Sequence, residues 1–226
     1  VEGKLWYNVS TLGRRDMTWT QICIAAGLGV TEIALVETYI EDDDGRFLET
    51  KAYEKLFNYF CDGDEMPYRV AKAYVNDLWA GRYEAPPAIT TFPSDGYDGM
   101  VFEGGIPLTS MCSHHHQTIM GVVHVAYIPG KDSHVIGLSK LNRLVEHFGR
   151  RGAIQEQLTV AIHHAVNTII KDNNGVAVMI DASHNCVQCR GVKHGGASMK
   201  TSKLTGAFKD DPSTRAEYYE FIKGYN

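Results

Sequence analysis

Two short clusters of cysteine and histidine carry the strongest chemical signal in this chain. Met111-Cys112-Ser113-His114-His115-His116 sets a thiol three residues before an imidazole. His184-Asn185-Cys186-Val187-Gln188-Cys189-Arg190 sets a second thiol beside a histidine and an arginine. Thiolate sulfur and neutral imidazole nitrogen are natural zinc ligands. A Cys and a His three apart, in a turn between two strands, can converge on one ion. In the second cluster, strand geometry predicts that His184 and Cys186 share a face, while Cys186 and Cys189 point to opposite faces. A four-ligand structural site using both cysteines is therefore disfavoured. Cys112, His115 and Cys186 remain as three ligands, with a fourth position open for water, the arrangement of a catalytic zinc. The plainer alternative is buried thiols acting as small hydrophobes and a chance run of histidines. Either cluster alone leaves the two readings level; two clusters at strand ends favour the metal. Cys23, Cys61 and Cys189 read as structural thiols. His124, His134, His147, His163, His164 and His194 read as packing or exposed residues.

Two further groups suit an anionic purine. Ser139-Lys140-Leu141-Asn142-Arg143 follows Gly137 at a helix start, where free N–H groups and the helix dipole favour anions. Lys140 and Arg143 lie three apart on one helix face, and Arg190 adds a charge beside the metal cluster. Together they can hold a polyphosphate, Arg doing so bidentately. By itself, such a basic helix start is more often simply solvated. Gln155-Glu156 opens another helix. A buried carboxylate there can accept the N1–H and 2-amino hydrogens of guanine, a donor pair adenine lacks. Alone, the same pair is a favourable partner for the helix dipole.

Certain elements must position these groups. Pro67 is favoured at a helix start, and Val70, Ala71, Tyr74, Leu78 and Trp79 form an apolar stripe that Gly81 ends. Before it, Tyr53, Leu56, Phe57 and Phe60 fall at helical spacing and Gly63 closes the segment. Residues 100–102 and 106–111 read as extended, and 119–128 as a strand closed by Pro129-Gly130. Leu141, Leu144, Val145 and Phe148 predict one helix. Leu158, Ile162, Ala165 and Ile169 predict the next, which Asn173-Asn174-Gly175 ends. Residues 176–180 and 186–192 read as a strand pair. A last helix runs from about Pro212 to Lys223, with Asp211 or Ser213 as its cap. Two strands, two helices and two strands predict an α+β plan, an antiparallel sheet with helices on one face. Its open edges invite pairing with further subunits, even a barrel closed by several chains. The run Glu41-Asp42-Asp43-Asp44-Gly45 reads as a solvated turn; the spacing of a calcium loop is absent.

Composition excludes several function classes. The 226 residues are 44% hydrophobic and 10% aromatic, as in folded proteins, with a formal charge of −5. That charge argues against general nucleic-acid binding, which needs basic stripes. No apolar run nears the ~20 residues that span a bilayer, and the first residues lack the pattern of a signal peptide. Five scattered cysteines fit a reducing compartment better than a disulfide framework, so the expectation is a cytoplasmic protein without membrane or nucleic-acid partners.

The segments RVAKAY (69–74), IPLTSMCSHHHQTIMG (106–121), VAYIP (125–129), VIGLSKLNRLVEHFGRR (135–151), IQEQL (154–158), GVAVMIDASHNC (175–186) and RGV (190–192) closely resemble the GTP cyclohydrolase I family. Order and spacing agree from about residue 50 to the end of the chain. The resemblance implies the tunnelling fold, in which subunit sheets join into an oligomeric barrel, typically a homodecamer with active sites between subunits. It implies Zn2+ held by Cys112, His115 and Cys186, and hydrolysis of the GTP imidazole ring at C8 to give formate and 7,8-dihydroneopterin triphosphate. It carries proton handling onto His114 and His184, and guanine binding onto Gln155 and Glu156. A place near the ribose falls to Ser139, and triphosphate contacts fall to Lys140, Arg143 and Arg190. Ser113 replaces the glutamate usual in the family, and His116 and Gln117 stand where apolar residues are common. The implied organisation is an extension over 1–48, a helical region over 49–98 and a catalytic tunnelling-fold domain over 99–226. Two other readings compete: a reductase or synthase of the same fold, and a zinc-stabilised assembly protein without activity.

Overall fold

The computed structural model describes Glu54 and residues 66–225. The expected extension over 1–48, the turn at 41–45, the helix carrying Tyr53 to Phe60 and the thiols Cys23 and Cys61 lie outside the described residues. The chain divides into two compact units between Ala85 and Pro86. In the first, α1 (Met66–Lys72) begins at the expected proline and runs into a π-helical segment, Ala73–Leu78. The Trp79 N–H reaches back five residues to the Tyr74 carbonyl at 2.9 Å. A 3-10 turn, Ala80–Arg82, follows, with the Arg82 guanidinium 4.9 Å from the centroid of the Trp79 ring.

The second unit contains β1 (Thr91–Pro93), β2 (Val101–Met111), β3 (Thr118–Pro129), β4 (His134–Ile136), α2 (Leu138–Gly149), α3 (Gln155–Ile169), β5 (Asn173–His184), α4 (Asn185–Gln188), β6 (Ser198–Leu204), α5 (Ala207–Asp210) and α6 (Pro212–Lys223). Strands β2-β3-β5-β6 form one antiparallel sheet in that order, and β1 pairs with β4 separately. The two extended stretches at 100–111 are one strand. A bulge between Glu103 and Ile106 interrupts its register with β3, and Gly105 takes φ +68° there.

The central strands β3 and β5 are buried on both faces. Val123, Val125 and Tyr127 of β3 and Val176, Val178 and Ile180 of β5 face Leu141, Leu144 and Val145 of α2 and Leu158, Ile162 and Val166 of α3. On the opposite face, Ala126, Ala177 and Met179 meet Phe208, Tyr218 and Ile222 from α5 and α6. The expectation of helices on one face only is thus corrected. A strand covered on both sides shows a continuous apolar run instead of an alternation, as 125–128 and 176–180 do. Asp211 caps α6 as expected, accepting from the N–H groups of Ser213 and Thr214 at 3.1 Å each.

The second half of the expected final strand pair is also corrected. Residues 186–192 are not a strand: Asn185–Gln188 is the helical turn α4, and the sheet is completed by β6. The β6 sequence SMKTSKL has no apolar stripe, because α3 meets it with polar side chains. Gln155, Thr159 and His163, four residues apart on α3, are buried against β6 and the residue that follows it. Thr159 Oγ1 lies 2.6 Å from Thr201 Oγ1, and His163 Nε2 lies 3.0 Å from Thr205 Oγ1. Each buried aliphatic side chain of α3 contributes ~1.5–3 kcal/mol, whereas each neutral hydrogen bond nets about 1 kcal/mol. The apolar stripe therefore holds α3 on the sheet, and the polar seam selects its register over β6.

Candidate metal centre and nucleotide site

The order β2-β3-β5 brings the two sequence clusters together. Cys112 follows the end of β2, and His184 ends β5; β3 lies between, with Ile119 paired to Ser110 on one side and to His184 on the other. The turn after β2 is closed by two backbone bonds of 2.9 Å, Cys112 N–H to the Gln117 carbonyl and His116 N–H to the Cys112 carbonyl. His116 adopts φ +50° to complete it. The Asn185 side chain donates to Thr118 Oγ1, which ties α4 to the start of β3.

One ligand atom from each of Cys112, His115 and Cys186 lies within 4.8 Å of the others, and Cys112 Sγ is 3.9 Å from His115 Nδ1. Tetrahedral zinc with Zn–S near 2.3 Å and Zn–N near 2.0–2.1 Å spaces its ligand atoms by about 3.5–3.8 Å. The three side chains therefore fit such an ion with sub-ångström adjustment. Cys112 is buried, Cys186 half-buried and His115 exposed. Burial first, and then the adjoining Cys112 thiol, push the Cys186 thiol up, while Arg190 pulls it down. A divalent ion held between the two sulfurs would outweigh their mutual repulsion and favour the thiolate ligands it needs.

Cys189 stays outside this group, as expected, although the reason differs. It stands at the end of a helical turn, not on the far face of a strand. Its Sγ is exposed and lies 2.7 Å from the Asn185 carbonyl. His114 is exposed beside His115, with ring centroids 6.1 Å apart. His184 is half-buried; burial lowers its pKa and Glu156 opposes that shift. His184 Nε2 lies 2.7 Å from Gln155 Oε1.

Gln155 and Glu156 have opposite surroundings. Gln155 is 1% exposed and turns its side chain into the protein. Glu156, one residue and about 100° further round the helix, is exposed and acts electrostatically on His184. The carboxylate expected to be buried is thus open in the single chain, and the amide beside it is the buried group. Sequence reasoning also missed Thr159 and Thr201, which anchor Gln155; the polar spacing of 155, 159 and 163 was their signal.

The phosphate candidates divide. Arg190 is exposed but within electrostatic reach of Cys186. Ser139, Lys140 and Arg143 sit elsewhere, on the first turns of α2. The end of α2 rests on the metal end of the sheet: an added Cβ at Gly149 would meet the Thr109 carbonyl at 2.9 Å, and Ala153 bridges to Cys112. Its start rests near the other end of β2, where Asn142 donates to Glu103. Ser139 is ten residues before Gly149, ~15 Å along the helix axis at 1.5 Å per residue. One chain therefore holds the candidate metal ligands, with Arg190 near them, at one end of its sheet and the α2 candidates Ser139, Lys140 and Arg143 at the other.

The sequence model described as GTP cyclohydrolase I matches residues 62–223. The GTP cyclohydrolase 1 of Aeromonas salmonicida is 45% identical over 163 residues, covering 71% of this chain and 73% of that protein. That of Klebsiella pneumoniae is 37% identical over 225 residues, covering 96% of this chain and 100% of that protein. Among solved structures, an archaeosine synthase QueF-Like in the apo form aligns with a TM-score of 0.39 and 18% identity, over 47% of this chain and 93% of the other.

Proposed function

The chain belongs to the GTP cyclohydrolase I family and is an enzyme of that type, and we propose that Cys112, His115 and Cys186 hold its Zn2+ while the surrounding side chains open the imidazole ring of GTP. The convergence of these three ligands beside His184 and Glu156 carries this reading. Bound zinc supplies the acidity that makes water a nucleophile near neutral pH.

The chain's own groups do the rest. Glu156 accepts the N1–H and 2-amino hydrogens of guanine and seats the base. Lys140, Arg143 and Arg190 hold the triphosphate. His114 protonates N7 as the bond to C8 is cut. His184 and Ser139 move protons as formate leaves, the ribose opens and rearranges, and the free amines close on it to give 7,8-dihydroneopterin triphosphate. Positioned acids and bases of this kind contribute ~10²–10⁴-fold each.

Because Ser139, Lys140 and Arg143 lie far from the metal end of their own chain, the reading includes a second copy that brings them to the site. Among the described residues, β2 and β6 are the outer strands of the sheet. Pairing these edges between copies closes a barrel, and a tunnelling-fold homodecamer is the assembly we propose. Residues 99–226 form the catalytic domain in this reading, 49–98 a helical region, and 1–48 an extension without an assigned role. No helix among the described residues is long and apolar enough to cross a membrane. A cytoplasmic location agrees with the free thiols of Cys112, Cys186 and Cys189.

The test is incubation of the purified protein with GTP, with and without a chelator and without nicotinamide. Formate and a fluorescent pterin should form in the untreated sample, and the chelator should abolish both. Turnover that needs a nicotinamide would favour a reductase of the same fold.

A further inference from the structure

The Gln155 amide is held in one orientation by its neighbours. Its Nε2 lies 3.2 Å from the Ile180 carbonyl, 2.8 Å from the Met199 carbonyl and 3.1 Å from Thr201 Oγ1. Only the NH2 end of an amide can donate to carbonyl oxygens, so Oε1 must be the atom facing His184. The hydroxyls make the network directional. Thr159 Oγ1 donates to the Gln155 carbonyl at 2.8 Å, so its single hydrogen is used. Thr201 must then donate to Thr159 across their 2.6 Å contact, which leaves Thr201 Oγ1 to accept from Gln155. An oxygen fixed 2.7 Å from His184 Nε2 can only accept. His184 Nε2 therefore carries hydrogen, and in the neutral ring Nδ1 is the one lone pair left.

We propose that Gln155 is a positioning residue for the reaction: its side chain does not read guanine but sets the tautomer and ring orientation of His184, and strand β6 holds Gln155 in place. This rests on the proposed role of His184 as a proton carrier. With Nε2–H held by the Gln155 oxygen, the ring is fixed in one orientation and Nδ1 is the nitrogen it presents to substrate. Guanine selection then falls to Glu156. The burial of Gln155 at 1% exposure fits a group that faces protein on every side.

A histidine held in the wrong tautomer loses up to ~10⁴-fold in kcat where the ring is the proton carrier. In the zinc-loaded full chain, Gln155→Met should lose about 10²-fold or more in kcat, with zinc content and the KM for GTP near those of the parent. Gln155→Glu keeps an acceptor for Nε2–H but turns a carboxylate toward the Ile180 and Met199 carbonyls. It should melt at a lower temperature than Gln155→Met and yet retain the higher kcat. A merely structural role predicts the reverse ranking of kcat, following the melting temperatures, and that result would overturn the proposal. A neutron structure of the parent at mildly alkaline pH tests it without activity: deuterium on Nε2 of His184 is expected, and deuterium on Nδ1 alone would refute it even if Gln155→Glu failed to fold. Full kcat in His184→Ala would remove the proton-carrier reading instead, while leaving the neutron result standing.

Discussion

Co-expression of two inactive variants turns the geometry of the single chain into a number. Cys186→Ala removes a proposed metal ligand; Lys140→Ala combined with Arg143→Ala removes the proposed triphosphate contacts on α2. The metal group lies where β2 and β5 end, whereas α2 starts at the opposite end of β2. If each working site joins the metal end of one copy to the α2 start of another, equal random mixing leaves half of the metal ends and half of the α2 starts intact. About a quarter of the sites then carry no lesion, and specific activity should return to about 25% of the parent, as a closed assembly of shared interfaces requires. If one chain supplied the whole site, every site would carry a lesion and mixing would restore nothing. The assay is formate release and pterin fluorescence from the purified mixed oligomer, with each variant alone as the baseline. Activity in the mixture equal to the sum of the two baselines would refute the assignment of Ser139, Lys140 and Arg143 to a neighbouring copy.

Other expected outcomes follow from single residues. Cys186→Ala should lose zinc and turnover together, and full turnover in a zinc-free Cys186→Ala protein would end the metal assignment. Glu156→Ala should keep its zinc and lose two charge-assisted hydrogen bonds to guanine; at ~1.5–3 kcal/mol for each bond to a charged group, affinity for GTP falls roughly 10²- to 10⁴-fold. Unchanged affinity, measured by titration calorimetry, would count against that contact. Burial holds the pKa values of His124 and His163 below the ordinary imidazole value; Asp181 raises and Lys200 lowers that of His124, while the Val176 backbone raises that of His163 and Lys203 and His164 lower it. The unfolded chain therefore takes up these protons first as pH falls. Stability should be flat above the unfolded pKa near 6.5, decline below it and level off beneath the folded values, with a slope of at most about 1.4 kcal/mol per pH unit for each group. His163→Gln should make that slope shallower by one proton in denaturant melts between pH 7 and 5; an unchanged slope would show that His163 does not titrate on unfolding.

By itself the sequence determined the ligand types, the helices and the central strands. Cys112 and His115 converge because a short turn between strands leaves them little choice, and that constraint is local. Leu141 to Phe148 and Leu158 to Ile169 announce their helices through spacing, because each helix buries one stripe on the sheet. The runs in β3 and β5 are apolar without alternation because both faces are covered. Tertiary structure alone decided three other matters. Strand β6 could not be read from SMKTSKL, since the face it turns to α3 is held by hydrogen bonds with Gln155 and Thr159 and not by an apolar stripe. The different surroundings of Gln155 and Glu156 follow from how α3 is rotated against β5 and β6, which no pair of adjacent residues encodes. The separation of Ser139, Lys140 and Arg143 from the metal ligands depends on the direction in which α2 crosses the sheet. Spacing along the chain records what is near in sequence, whereas packing decides which ends of a sheet its flanking helices reach.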